Sequence, residues 1–169
     1  MSIGGPAISL VLLMTANGLP WVVGRMCRGR WGAPLDFGLT LGDGNRLFGS
    51  HKTWRGLVTA SAACAAVGEV FQLAWSTGAL FGALSMVGDT LSSALKRRLR
   101  YEPGREVLFL DQLPEALLPL IALREPLGLD PVRIAIVAVV FLALDVASAR
   151  VRHWPTARGA RRSGRPTSE

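Results

Sequence analysis

Charged residues are clumped along this chain, and the runs between the clumps are long and apolar. Such runs occupy residues 7–24, 57–75, 79–95, 107–123 and 132–149. A helix crossing the hydrocarbon core of a bilayer needs about 20 mainly apolar residues. The pattern therefore predicts an all-α polytopic membrane protein with about five transmembrane helices. The fourth run departs most from the pattern, because it carries Asp111, Pro114, Glu115 and Pro119. In this reading residues 1–150 form one membrane domain, with a cytosolic loop at 25–56. Residues 151–169 are rich in Arg, Gly, Pro and Ser and predict a basic, disordered tail.

The polar connections set the direction. Arg25, Arg28, Arg30, Arg46, Lys52 and Arg55 lie in the first, and Lys96, Arg97, Arg98, Arg100 and Arg105 in the third. The tail adds Arg150, Arg152, Arg158, Arg161, Arg162 and Arg165, whereas the other two connections hold only Arg124 and Arg133. Lys and Arg collect on the cytoplasmic side of membrane proteins. The N-terminus is therefore expected outside and the C-terminus in the cytosol, in a cytoplasmic (inner) membrane. Trp21, Trp31, Trp54, Trp75 and Trp154 fall near run ends or in loops, as an interfacial aromatic belt would place them.

Composition agrees with this picture. Half of the 169 residues are hydrophobic and 18% are charged, against roughly a quarter charged in soluble domains. The net charge of +7 would suit a nucleic-acid binder, but such a protein has no need of the apolar runs. Positive-inside bias accounts for the charge, and nucleic acid is not an expected partner. Cys27 falls in a cytosolic loop and Cys64 in an apolar run, which predicts neither a disulfide nor a metal-binding pair. The first apolar run lacks a preceding basic segment and reads as a retained helix, not a cleaved signal peptide.

Ionisable residues inside a membrane are costly and mark function. Measured along the helices from the nearest cytosolic charge, Asp89 lies about 10 Å deep, Asp111 about 9 Å, Asn17 about 12 Å and Asp145 about 8 Å. Polar groups from separate helices thus share one layer near the inner face, while Glu69 falls near the opposite face. Unrelated interhelical hydrogen bonding is the alternative reading of that layer. On the third helix Asp89, Ser92, Ser93, Lys96 and Arg97 recur at helical spacing and form one stripe. A carboxylate, hydroxyls and then cations suit a divalent metal held deep, with phosphates reaching toward Lys96 and Arg97. A topogenic cluster would explain Lys96, Arg97 and Arg98 alone, but not Asp89. Asp111 falls where Pro114 breaks the helix, and with Asp89 it would supply the carboxylates of a magnesium–phosphate site. Glu115 is either a further ligand or, as favoured from the sequence, a helix N-terminal charge.

The loop at 41–56 holds Gly42, Gly44 and Gly49, followed by His51, Lys52, Thr53 and Arg55. It is not a P-loop, because Ser50 and His51 separate Gly49 from Lys52 and no strand precedes it. A glycine-flexed loop with Asp43, Lys52, Thr53 and Arg55 could close over a triphosphate; a plain basic interfacial loop is the alternative. His51 has no second histidine nearby with which to hold a metal.

Four motifs occur in order: Asn17 to Pro20; Gly49-Ser50-His51-Lys52-Thr53-Trp54-Arg55-Gly56; Gly88-Asp89-Thr90-Leu91-Ser92-Ser93 leading to Lys96-Arg97-Arg98; and Leu110-Asp111-Gln112-Leu113-Pro114. Together they resemble the CDP-archaeol synthase family, relatives of the CDP-diacylglycerol synthases, over residues 17–119. The resemblance implies a membrane-embedded, Mg2+-dependent cytidylyltransferase that transfers CMP from CTP to a lipid phosphate and releases pyrophosphate. Carried over motif by motif, Asp89 and Asp111 would bind metal, and Lys52, Arg55, Lys96 and Arg97 would meet the triphosphate or the lipid phosphate. Asn17, Thr53, Ser92 and Ser93 would complete the substrate pocket, and Asp89, Asp111 and Lys96 are the expected catalytic residues.

Phosphatidate or an isoprenoid-ether glycerophosphate is the expected acceptor, in contact with the lipid bilayer, and a homodimer is left open. In-line attack by an ionised lipid phosphate requires no general base, which fits the lack of a Ser-His-Asp or Cys-His constellation. A CDP-alcohol phosphotransferase is the nearest alternative enzyme, but Asp43-Gly44 is followed by Asn45 and Arg46 in a loop, not by that family's helical pattern. From another class, a non-catalytic transporter subunit or assembly factor would also use a small helical membrane scaffold.

Overall fold

The computed structural model describes residues 4–28, 30–40, 42, 44, 46–49, 51–101, 107 and 109–153, with 149–153 described by backbone alone. Among these residues the chain forms five helices: α1 (Gly4–Met26), α2 (Trp54–Val70), α3 (Trp75–Arg98), α4 (Gln112–Ala122) and α5 (Pro131–His153). Isolated antiparallel bridges, Pro34 to Thr53 and Thr40 to Arg46, tie the loop between α1 and α2. The expected tail begins later than its composition suggested, because residues 151–153 continue α5; the rest of it, with Trp154, lies outside the described residues, as do Asp43, Ser50 and Arg105.

The helix number matches the sequence expectation, but the lengths do not. Three helices, Gly4–Met26, Trp75–Arg98 and Pro131–Ser148, are long and apolar enough to cross a membrane. α2 has 17 residues and α4 only 11, about 25 Å and 16 Å of helix against a hydrocarbon core of about 30 Å. α2 was expected to run to Trp75 but stops at Val70. The Gly68 carbonyl accepts from both Phe71 N–H and Leu73 N–H, and Gln72 turns to φ +61°. α4 was expected from residue 107. It begins instead at Gln112, with Pro114 in its first turn, where a missing N–H does no harm.

α3 is the centre of the bundle, packed on α2, α4 and α1, while α5 packs on α1 and α4. Small residues allow the closest approaches. A Cβ on Gly78 would strike the Cys64 carbonyl and one on Gly82 the Ala60 carbonyl, so one face of α3 lies directly on the backbone of α2. In the same way Gly88 lies against the Pro114 carbonyl of α4. Such small-residue seams are how helices associate in lipid, where apolar burial offers no drive between them.

Leu12, Leu13, Ala60, Cys64, Phe81, Leu120 and Phe141 are fully buried between the helices. Val58, Leu80, Leu91, Val132, Ile136 and Val139 point outward and are about half or more exposed. An apolar exterior around a packed core suits hydrocarbon surroundings. Leu127 sits against Gly5, so α4 runs from the layer of Asp111 toward the N-terminal end of α1.

Candidate active site

The loop after α1 is shaped by a buried carboxylate that the sequence reading did not single out. Asp36, 3% exposed, accepts from the Gly38, Phe48 and Gly49 N–H groups and pairs with Arg46 at 2.7 Å. Burial pushes its pKa up, but the Gly38, Phe48 and Gly49 amides and the Arg46 guanidinium outweigh that and hold it below the ordinary value. Segment 33–35 pairs with 52–54 through Leu35 N–H to the Lys52 carbonyl and Trp54 N–H to the Ala33 carbonyl. Thr53 then caps α2, its Oγ1 accepting the Gly56 N–H at 3.2 Å. Lys52 is thereby fixed between the Asp36 turn and the start of α2.

From that position Lys52 Nζ reaches Asp89 Oδ2 of α3 at 2.5 Å. The pair lines a cavity of about 470 Å³ together with Asn17, Trp21 and Arg25 of α1, His51, Thr53 and Arg55 of the loop–α2 junction, and Glu115 of α4. Arg25 stacks over the Trp21 ring at 5.6 Å. Arg55 donates from Nη1 to the Arg30 carbonyl at 2.5 Å, which ties it to the loop. The cavity thus gathers three cations and two carboxylates from four elements. A closed apolar core would not tolerate that density of charge; a polyanionic ligand with a cation would complement it.

Asn17, Lys52, Thr53, Arg55 and Asp89 from the sequence-predicted set come together around this cavity. Asp111, Ser92, Ser93, Lys96 and Arg97 lie beside it in the bundle. Lys96 Nζ contacts both Asp111 oxygens, at 2.7 and 2.9 Å, in a pair whose side chains are 10% and 17% exposed. Ser92 Oγ donates to the Asp89 carbonyl, and Arg97 donates to the Tyr101 carbonyl. Ser92, Ser93, Lys96 and Arg97 are all buried, so the predicted stripe on α3 does face inward.

The carboxylates do not face each other in isolation: each is paired with a lysine, Asp89 with Lys52 and Asp111 with Lys96. Asn17 and Asp145, expected at one level, do meet: Asn17 Nδ2 donates to Asp145 Oδ1 at 3.2 Å. Glu115, read from the sequence chiefly as a helix N-terminal charge, is 7% exposed and turned into the cavity. Trp21 and Arg25 were read as interface and topology residues. Their spacing on α1, one and two helical turns beyond Asn17, was the available signal.

Residues 9–151 match a family model described as CarS-like: CDP-archaeol synthase. A CDP-archaeol synthase of Thermofilum pendens is 38% identical over 103 residues, 58% of this chain and 50% of that protein. One from Pyrococcus furiosus is 36% identical over 107 residues, 57% of this chain and 60% of that protein. The chain spans about half the length of the curated relatives it matches. A solved structure, described as an intramembrane enzyme for archaeal membrane lipids biosynthesis, is 33% identical, with a TM-score of 0.71 over 84% of this chain and 90% of that one.

Proposed function

The chain belongs to the CDP-archaeol synthase family, and from that premise we propose that it is a multi-pass membrane cytidylyltransferase, moving CMP from CTP to a lipid phosphate and releasing pyrophosphate. The observation that carries the reading is the charged cavity between α1, the Lys52 loop, α3 and α4, centred on the Lys52–Asp89 pair. The acceptor is an isoprenoid-ether glycerophosphate or phosphatidate.

In the proposed step an oxygen of the ionised lipid phosphate attacks the α-phosphorus of CTP. The new P–O bond forms as the bond to the β-phosphate bridging oxygen breaks, and pyrophosphate carries away the electron pair. Lys52, Arg55 and Arg25 bind the triphosphate and meet the charge that grows on the leaving group. Lys96 and Arg97 support the phosphates from the α3 boundary, and Asn17, Thr53, Ser92 and Ser93 shape the pocket.

The donor set fits Mg2+. That ion is usually held by one or two carboxylates plus substrate phosphates, and no cluster of three ligating side chains occurs among the described residues. Asp89 in the cavity and Asp111 beside it would hold the ion, each exchanging its lysine partner for the metal. When bound, the ion would polarise phosphoryl oxygens and neutralise developing charge.

The basic loops and the cavity share the end of the bundle near Arg25 and Lys52, so the site opens to the cytosol, with the N-terminus outside and the C-terminus inside a cytoplasmic membrane. α4 then completes a crossing together with the bend before it. A homodimer is compatible with this arrangement. Purified protein in nanodiscs, given CTP and a panel of lipid phosphates, should release pyrophosphate with at least one ether or ester acceptor. No release with any member of the panel would overturn the reading.

A further inference from the structure

Asp145 does not line the cavity, yet side-chain amides of two other helices converge on it. Asn17 of α1 donates to its Oδ1 at 3.2 Å, and Gln112 of α4 donates from Nε2 to its Oδ2 at 3.0 Å. Gln112 is 7% exposed and faces two ways, because its Oε1 accepts the Phe109 N–H at 3.0 Å. Phe109 has φ +68°, a left-handed conformation that a bulky residue enters at a cost. Its carbonyl accepts the Leu113 N–H, and Asp111 Oδ2 accepts the Val107 N–H. The bend that brings Asp111 to Lys96 is therefore tied to α5 through one amide side chain.

The chemistry of that amide gives Asp145 its part. A carboxylate only accepts hydrogen bonds, so the NH2 of Gln112 must face it and the Oε1 must face Phe109. A flipped amide would set oxygen against carboxylate and NH2 against N–H. We infer that Asp145 is a positioning residue that, through Gln112, holds the bend at Phe109 in the conformation presenting Asp111 to Lys96. Its effect on turnover rests on the cytidylyl-transfer reading; the brace itself does not.

An exchange of donor and acceptor tests this. Asp145→Asn leaves one of the two amides without an acceptor, and Gln112→Glu sets two carboxylates face to face. In the double variant the introduced asparagine donates to the introduced glutamate, whose other oxygen accepts the Phe109 N–H, while the asparagine carbonyl accepts from Asn17. All three hydrogen bonds are restored, and net charge is unchanged. Hydrogen exchange of amides in 107–113 and kcat for cytidylyl transfer are measured on full-length protein in nanodiscs.

Each single variant should speed exchange and lower kcat by about tenfold, as losing a charged hydrogen bond implies. The double variant should recover both to within about threefold. Unchanged exchange in both singles, or a double variant that exchanges as fast as they do, overturns the inference. Restored exchange without restored kcat also overturns it, since the Asp145 carboxylate would then act on substrate directly. The exchange arm uses neither CTP nor lipid, so an inactive wild type would sink the functional reading while the brace is still decided.

Discussion

Lys52, in the loop before α2, and Asp89, midway along α3, form an ion pair at 2.5 Å across 37 positions of sequence. Both side chains are mostly buried, at 18% and 24% exposed. The pair joins the one glycine-rich loop of the chain to the carboxylate that topology alone does not explain.

Removing the cation should therefore be felt in catalysis. Lys52→Ala is expected to lower kcat/KM for CTP by about 1.5–3 kcal/mol, roughly 10- to 150-fold, the loss of a hydrogen bond to a charged group. Steady-state kinetics at saturating lipid phosphate measure it. A change below twofold would place the triphosphate elsewhere.

Lys96 and Asp111 should behave as one unit. Loss of either partner leaves a charge in a nearly closed site and should destabilise the protein by about 3 kcal/mol. Lys96→Met with Asp111→Leu should cost less than the sum of the single changes, by about 0.5–3 kcal/mol of coupling. Unfolding in mixed micelles across the cycle reads this, and simple additivity would mean that the pair contributes nothing as a pair.

The seams of α3 predict a contrast between glycines. Gly88→Ala puts a methyl group into the Pro114 carbonyl and should cost about 1–3 kcal/mol, as overpacking does. Gly18 of α1 has nothing within 4 Å of an added Cβ, so Gly18→Ala should be neutral or gain up to about 1 kcal/mol of helix propensity. Thermal unfolding of the two variants side by side tests the packing.

The Asp36 turn should be acid-sensitive. Its carboxyl is held below its ordinary value of 3.8, so it binds a proton less readily folded than unfolded. Its stabilisation is therefore complete above the unfolded pKa and is lost as pH falls through the lowered folded one. Proteolysis of the 33–53 loop should rise at the acid end in wild type, whereas Asp36→Asn should be cleaved readily already at pH 7. Equal cleavage of both proteins at neutral pH would contradict the hub.

Much of this was legible in the sequence, for identifiable reasons. Hydrophobic run length placed five helices, and helical spacing put Ser92, Ser93, Lys96 and Arg97 on one buried face of α3. Depth counting placed Asn17 and Asp145 at one level, and they are hydrogen-bonded. What spacing could not give was pairing between elements. Depth and the family motifs join Asp89 and Asp111 at one metal, but neither records that each also meets a lysine from another segment. The shortness of α4 was hidden because residues 107–110 are as apolar as a helix, and hydropathy does not record the left-handed turn at Phe109. Asp36 was invisible because a loop carboxylate declares itself by the amides around it, which no periodicity records.

Transfer of CMP from CTP to a lipid phosphate at the Lys52–Asp89 cavity, as proposed above, fixes where each phosphorus of CTP must go. Purified protein is incubated with a lipid phosphate and CTP labelled in parallel at the α- or the γ-phosphorus. The α-label should appear in the lipid and the γ-label in pyrophosphate in equal amounts, and Asp89→Asn, inserted normally, should abolish both. Label from the γ-position in the lipid, α-label that stays in nucleotide, or near-normal turnover by Asp89→Asn would contradict it.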